Sequence, residues 1–206
     1  MLKKWRGEFV TNLIKDLDFK NYLELGVASG NCWNNVTAPE KIGVDLMNDT
    51  MWKIPDVITK STDEYFQSLS EDKKFDIIFI DADHTKESVK KDFFNSLTHL
   101  SDSGIIIFHD VYPLSEENII PQSCGTAYAF WISLVDLVPE DTLIFTGDPG
   151  HIEGTVGVYF NSSKTVDWNS FSDMNHTYSY FHENLERYIS SRSVNYEKIV
   201  EHRKSY

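Results

Sequence analysis

Apolar runs along this chain are short, and the longest end abruptly in charge. Ile77-Ile78-Phe79-Ile80 and Ile105-Ile106-Ile107-Phe108 are too short for buried helices and rich in β-formers, which predicts central strands covered on both faces. Shorter strands are predicted over 21–25, 41–44 and 56–60. A late pair over 142–145 and 155–160 is joined through Gly147-Asp148-Pro149-Gly150, whose turn chemistry suits antiparallel pairing. Val89, Phe93, Phe94, Leu97 and Leu100 recur at three- and four-residue spacing and predict a helix over 86–100. Further helices are expected at the amino terminus, after the Gly26–Gly30 turn, over about 62–69, over 125–138 and over 178–191, with a frayed charged helix across 192–206. Strands alternating with helices predict an α/β domain with a seven-stranded, mostly parallel sheet, helices on both faces and a terminal antiparallel pair. Residues 1–160 form that domain, with 1–20 as its N-terminal helix. Residues 161–206 are a helical extension packed on the domain or on a partner subunit, and its aromatic content is compatible with a homodimer.

Composition narrows this picture. The chain has 206 residues, 41% of them hydrophobic, enough for one domain whose core needs no disulfide or metal staple. Its cysteines, Cys32 and Cys124, have no CxxC spacing, so neither a disulfide framework nor a zinc site is indicated, and a reducing, cytoplasmic setting is expected. The amino terminus carries lysines but no continuous apolar segment, unlike a signal peptide. No run approaches the ~20 apolar residues of a membrane span, so a soluble protein without a membrane partner is expected. A net charge of −13 repels nucleic-acid backbones and argues against a nucleic-acid partner.

The candidate chemistry lies where the runs stop. Asp81, Asp83 and His84 follow the first central strand and His109-Asp110 the second, at the carboxyl ends where open α/β sheets place ligands. Two adjacent strands delivering carboxylates to one rim suit a cation or a charged small molecule between them; capping the next helix is the plainer role, and it fits Asp83. Upstream, Gly26-Val27-Ala28-Ser29-Gly30 follows a strand, with its glycines spaced GxxxG and not GxGxxG. Gly26 can turn with positive φ and Gly30 can admit close backbone approach, which suits an extended small molecule more than a pyrophosphate. Asp45 ends the next strand nineteen residues after Gly26, near the separation at which such folds place an acid on a ribose; a solvated acid after a strand is the alternative. Thr62 or Asp63 is expected to cap the following helix beside the base that such a ribose carries. The proline-bearing stretch 111–123 reads as a loop over the rim that selects the substrate.

YLELGVASG, IGVDL, and above all FDIIFIDADHTKESVKKDF with GIIIFHDVYP resemble the class I S-adenosylmethionine-dependent methyltransferases. More narrowly, they resemble the metal-dependent branch of macrocin-type sugar O-methyltransferases and, more distantly, the catechol enzymes. The resemblance covers about residues 22–160. It implies a Rossmann-like sheet, S-adenosylmethionine, and Mg2+ or a similar divalent cation. It places Glu24, Gly26, Val27, Ala28, Ser29 and Gly30 along the methionine part of the cofactor, Asp45 on the ribose hydroxyls, and Leu46, Thr62 and Asp63 around adenine. Asp81 serves cofactor and metal, and Asp110 is the second metal ligand. Val111 stands where the catechol enzymes carry an amide ligand, leaving His109 or water to complete the metal. His84 stands where related enzymes carry a base. The implied reaction is metal-assisted O-methylation of a small-molecule acceptor, a sugar or glycan hydroxyl ahead of a catechol-like phenol. A nicotinamide-dependent oxidoreductase and a non-catalytic binding protein are the competing readings; the glycine spacing opposes the first and the intact acids the second.

Overall fold

A computed structural model describes residues 4–148, 154–162, 164–172 and 174–206. The chain begins with helix α1 (Trp5–Asp16) and strand β1 (Asn21–Leu25). Strands β2 (Glu40–Val44) and β3 (Val57–Ile58) then lead into helix α2 (Thr62–Gln67). Next come β4 (Phe75–Ile80), α3 (Lys86–Thr98), β5 (Leu100–Phe108) and α4 (Ala127–Leu137). The hairpin strands β6 (Thr142–Thr146) and β7 (Thr155–Phe160) follow, and α5 (Tyr178–Glu183), α6 (Leu185–Tyr188), β8 (Ser193–Val194) and α7 (Tyr196–Lys204) complete the chain. The sheet has eight strands in the order β3-β2-β1-β4-β5-β7-β6-β8. Only the pairings of β7, with β5 and with β6, are antiparallel among the described strands. The order runs outward in both directions from β1 and β4, so the crevice of this sheet opens at their carboxyl ends.

Register decides what reaches that crevice. Leu25 pairs with Ile80 and Ile80 with Phe108, so Gly26, Asp81 and His109 leave the sheet at one level. Ile77–Ile80 and Ile105–Phe108 are buried throughout, as expected of strands covered on both faces. On one face, α2, α3 and α4 pack around Phe93, whose ring meets Tyr159 and Trp168 edge-on. On the other, Phe9, Val10 and Leu13 of α1 join Trp33 and Ile199 of α7 against β4, β5 and β7.

Three expectations need correction. No α-helix follows the glycine turn; the segment forms only a short 3-10 turn, Trp33–Asn35, and α1 packs beside it. Asn31, Asn34 and Asn35 disfavour a helix interior because their side chains compete for the backbone, and Asn35 Nδ2 does bond Asn31 O, at 2.9 Å. The single helix over 178–191 is broken at Asn184, whose Nδ2 donates to Tyr180 O at 2.8 Å. The last segment is not frayed: Asn195 caps α7 by accepting the Lys198 N–H at 3.0 Å, and β8 pairs along β6 as the eighth strand. The extension therefore packs on its own domain, with Phe181 and Tyr188 in the core and Trp131 Nε1 donating to Tyr188 O at 3.0 Å. Pro149, Gly150 and His151 of the expected turn lie outside the described residues. Among the described residues no helix is long and apolar enough to cross a membrane.

Phe93 is fully buried at the meeting point of six aromatic side chains, Phe94, Phe108, Phe130, Tyr159 and Trp168 being its partners. Phe93→Ala should lower unfolding free energy by about 3–5 kcal/mol, read from the shift of a urea denaturation midpoint at unchanged slope.

Candidate active site

The site begins at Gly26. Its φ of +83° and the 2.0 Å that would separate an added Cβ from the Asp81 carbonyl oxygen leave glycine as the residue that lets the β1 loop lie against the end of β4. Two residues on, Ala28 also has positive φ, +45°, and its N–H donates to Asp45 Oδ2 at 2.8 Å. Asp45 Oδ1 accepts the Met47 N–H at 2.7 Å. The Asp45 carboxylate is thus aimed by backbone donors before any ligand arrives. Gly30 behaves differently from expectation: an added Cβ would sit 2.5 Å from Asn34 Nδ2, so its φ of +77° closes the turn and it lines neither cavity described below.

Two cavities meet across Asp81. One, of about 470 Å³, is lined by Gly26, Asp45, Leu46, Thr62 and Asp63. The other, of about 400 Å³, is lined by Glu24, Val27, Ser29, His84, His109 and Asp110. Ala28, Trp52, Asp81 and Ala82 border both, so the two are halves of one groove. Capping falls elsewhere than expected. Ser61, not Thr62 or Asp63, caps α2 through a reciprocal box with Glu64, and Asp63 pairs with Lys91 instead. Thr85, not Asp83, caps α3; Asp83 accepts the Thr85 N–H at 2.8 Å.

In the second half the acids converge. Asp81 Oδ1 lies 3.5 Å and Asp110 Oδ2 3.2 Å from His84 Nε2. The other ring nitrogen, Nδ1, contacts the Ser123 carbonyl oxygen; a carbonyl only accepts, so Nδ1 carries a proton and Nε2 is the nitrogen that faces the carboxylates. Burial opposes a charged imidazole here, but Asp81 and Asp110 outweigh it and push the His84 pKa up to about 9. Behind them His109 Nδ1 is 3.0 Å from Asp81 Oδ1 and 2.9 Å from Asp110 Oδ2. Arg6 of α1 closes the cluster, its guanidinium 2.7 Å from His109 Nε2 and 3.4 Å from Asp81 Oδ2. Burial alone would raise the Asp81 pKa, yet His109, His84 and Arg6 hold it well below the usual carboxylate range. Glu24 goes the other way: burial pushes it up to about 8, against the Tyr22 hydroxyl that donates to it at 2.6 Å.

Asp81, His84 and Asp110 each offer one ligand atom, and the three atoms lie within 4.8 Å of one another. Two carboxylate oxygens and an imidazole nitrogen that has given up its proton suit a divalent cation. That group contains His84 and not His109, which the resemblance offered, with water as the alternative, to complete the metal. Arg6 and Trp52 are the functional candidates that motif reading missed. Arg6 shares the spacing of Phe9, Val10 and Leu13 on the buried face of α1, a charged residue in register with an apolar stripe, and that was the available signal. Trp52 has none, since the Asn48–Trp52 turn that carries it is irregular.

Residues 46–111 match a family model described as a methyltransferase domain. An O-methyltransferase from Bacillus cereus solved with SAH is 19% identical, with 76% of this chain and 80% of that one covered at a TM-score of 0.53. The SAH-bound Podospora anserina methyltransferase PaMTH1 is 20% identical, with 78% and 80% covered at 0.53. The O-methyltransferase TomG from Streptomyces achromogenes, in complex with SAM, is 12% identical, with 76% and 79% covered at 0.51. No curated protein matches the chain. The fold is that of the class I methyltransferases, as the motif resemblance implied, and the matched segment runs from Leu46, beside Asp45, to Val111, beside Asp110.

Folded Glu24 keeps its proton to about pH 8, whereas its unfolded carboxyl ionises near 4.5. Between those values the folded state binds the extra proton, so stability falls as pH rises, by up to about 1.4 kcal/mol per unit. Glu24→Gln removes this loss and should gain on the wild type between pH 5 and pH 8 in urea denaturation.

Proposed function

We propose that this protein is an S-adenosylmethionine-dependent methyltransferase that methylates a hydroxyl oxygen of a small molecule or sugar with the help of Mg2+ or a similar divalent cation. The observation that carries this reading is the single groove, with Asp45 in one half, the Asp81–Asp110 pair in the other, and Asp81 at the junction. Asp45 takes the ribose hydroxyls, with Leu46, Thr62 and Asp63 around adenine. Gly26, Val27, Ala28 and Ser29 run beside the methionine chain toward the second half, with Glu24 beneath it.

The sulfonium is an activated methyl donor, so the chain has to align an acceptor oxygen and take its proton. Asp81 and Asp110 hold the cation, which when bound lowers the acceptor hydroxyl's pKa and orients it. Magnesium prefers oxygen ligands and keeps several waters, so two carboxylates suffice and His84 Nε2 is left for the proton. His84 is suited to that task because Ser123 holds its ring and its side chain, 22% exposed against 6% for Asp110, faces the groove. A cation that favours imidazole would instead recruit His84 as a ligand.

Calorimetry with S-adenosylhomocysteine, in magnesium and then in chelator, tests the cofactor half. Binding is expected in both, weakened at least about tenfold by Asp45→Ala; absence of binding in both removes the reading. Asp110→Asn should abolish cation-dependent turnover while S-adenosylhomocysteine affinity stays within about threefold. His84→Ala should lower kcat by about 10²–10⁴ with magnesium affinity unchanged; a matching fall in magnesium affinity makes His84 a ligand.

A further inference from the structure

We propose that Trp52 is a specificity-determining residue whose indole face attracts the charged sulfonium of the methyl donor where the two half-grooves meet, favouring S-adenosylmethionine over the neutral thioether left after transfer. This inference rests on the function proposed above.

Four residues border both halves: Ala28, Trp52, Asp81 and Ala82. Two are alanines and one is an acid, so among the described residues Trp52 supplies the only broad apolar face at the junction. It is also the one aromatic side chain lining the first half. A donor with its ribose on Asp45 has to carry its methyl group from the first half to an acceptor in the second, so its sulfur belongs where the halves meet. A sulfonium has no hydrogen on sulfur to donate. Its charge is met by the field of nearby acids and by aromatic faces, of which an indole attracts a cation most strongly. Once the methyl group has left, the sulfur is neutral and that attraction is gone.

Trp52 is not committed to the core. Of the five tryptophans, Trp33 and Trp131 are buried in the two core clusters, and Trp5 and Trp168 pack against them. Trp52 is half-buried yet belongs to neither cluster. Its backbone is nevertheless fixed. The Asn48–Trp52 turn closes with a wide bond from the Lys53 N–H to Asn48 O at 2.6 Å, the π form that is frequent at functional sites. Asn48 is 4% exposed. Its Nδ2 donates to Ile54 O at 3.1 Å and to Val57 O at 3.2 Å, and its Oδ1 accepts the Ile54 N–H at 2.7 Å. The turn is thus tied to β3 by Asn48 and to Asp45 by the Met47 N–H. Met51, next to Trp52, is exposed and lines neither half, so the fold sends the tryptophan and not its neighbour to the groove.

Calorimetry with S-adenosylmethionine and, separately, with S-adenosylhomocysteine, in the absence of any acceptor, tests this; the quantity read is the ratio of the two dissociation constants. Trp52→Leu should shift that ratio about three- to tenfold against S-adenosylmethionine. Trp52→Phe keeps an aromatic face and should restore most of the wild-type ratio. Equal weakening of both ligands in Trp52→Leu makes the ring an apolar wall and overturns the proposal, while the cofactor reading stands. A shift in Trp52→Phe as large as that in Trp52→Leu assigns the effect to shape and overturns it too. Binding of neither ligand to the wild type removes the cofactor reading, and the proposal with it.

Discussion

Two carboxylates stand side by side at the ends of two strands that are apolar on both faces, and the surroundings of the groove answer to that fact. The parallel register of β4 and β5 leaves no freedom: Ile80 pairs with Phe108, so Asp81 and the His109-Asp110 pair emerge together. Water reaches them poorly, with Asp110 5% and His109 6% exposed. Like charges in such a setting repel strongly unless cations or donors intervene. Three groups intervene from three parts of the chain: Arg6 from α1, His109 from the residue after β5, and His84 from the turn before α3. Two of them are pinned by something further out, Arg6 by the seating of α1 on the 31–35 turn and His84 by Ser123.

Those tethers explain features that otherwise look incidental. Gly125 has a φ of +52°, and an added Cβ would stand 2.4 Å from the His84 carbonyl oxygen; the same carbonyl accepts the Thr126 N–H at 2.8 Å. The loop from Val111 to Ser123 is thereby sewn to His84 at its far end and to Asp110 at its near end. Leu46 in the groove lining is exposed, as are Met51, Leu114 and Ile120 on other connecting segments. This division between a fixed rim of charge and variable covering loops is how open α/β folds combine one chemistry with many acceptors. The C-terminal extension contributes at a distance, through β8 covering the β6 edge and through Phe181 and Tyr188 filling the core beneath α4.

The sequence by itself determined the α/β class and the strand ends at which the acids appear. Those follow from local rules: a four-residue β-branched run bounded by charge is a buried strand, and its end is a sheet edge wherever the strand pairs. Asp45, Asp81, His84 and Asp110 were legible for that reason, since each lies within four residues of the end of a predicted strand. Local rules failed where competing side-chain hydrogen bonds decide the backbone, as at Asn31–Asn35 and Asn184, and where a two-residue strand exists only because an edge is there to receive it. Only the tertiary structure decided where Arg6, His109 and Trp52 stand relative to the groove. A histidine's surroundings are set by partners remote in sequence: Ser123, thirty-nine residues from His84, and Arg6, 103 residues from His109. No periodicity in the chain records those separations, because the contacts exist only after two layers of helices have closed on the sheet.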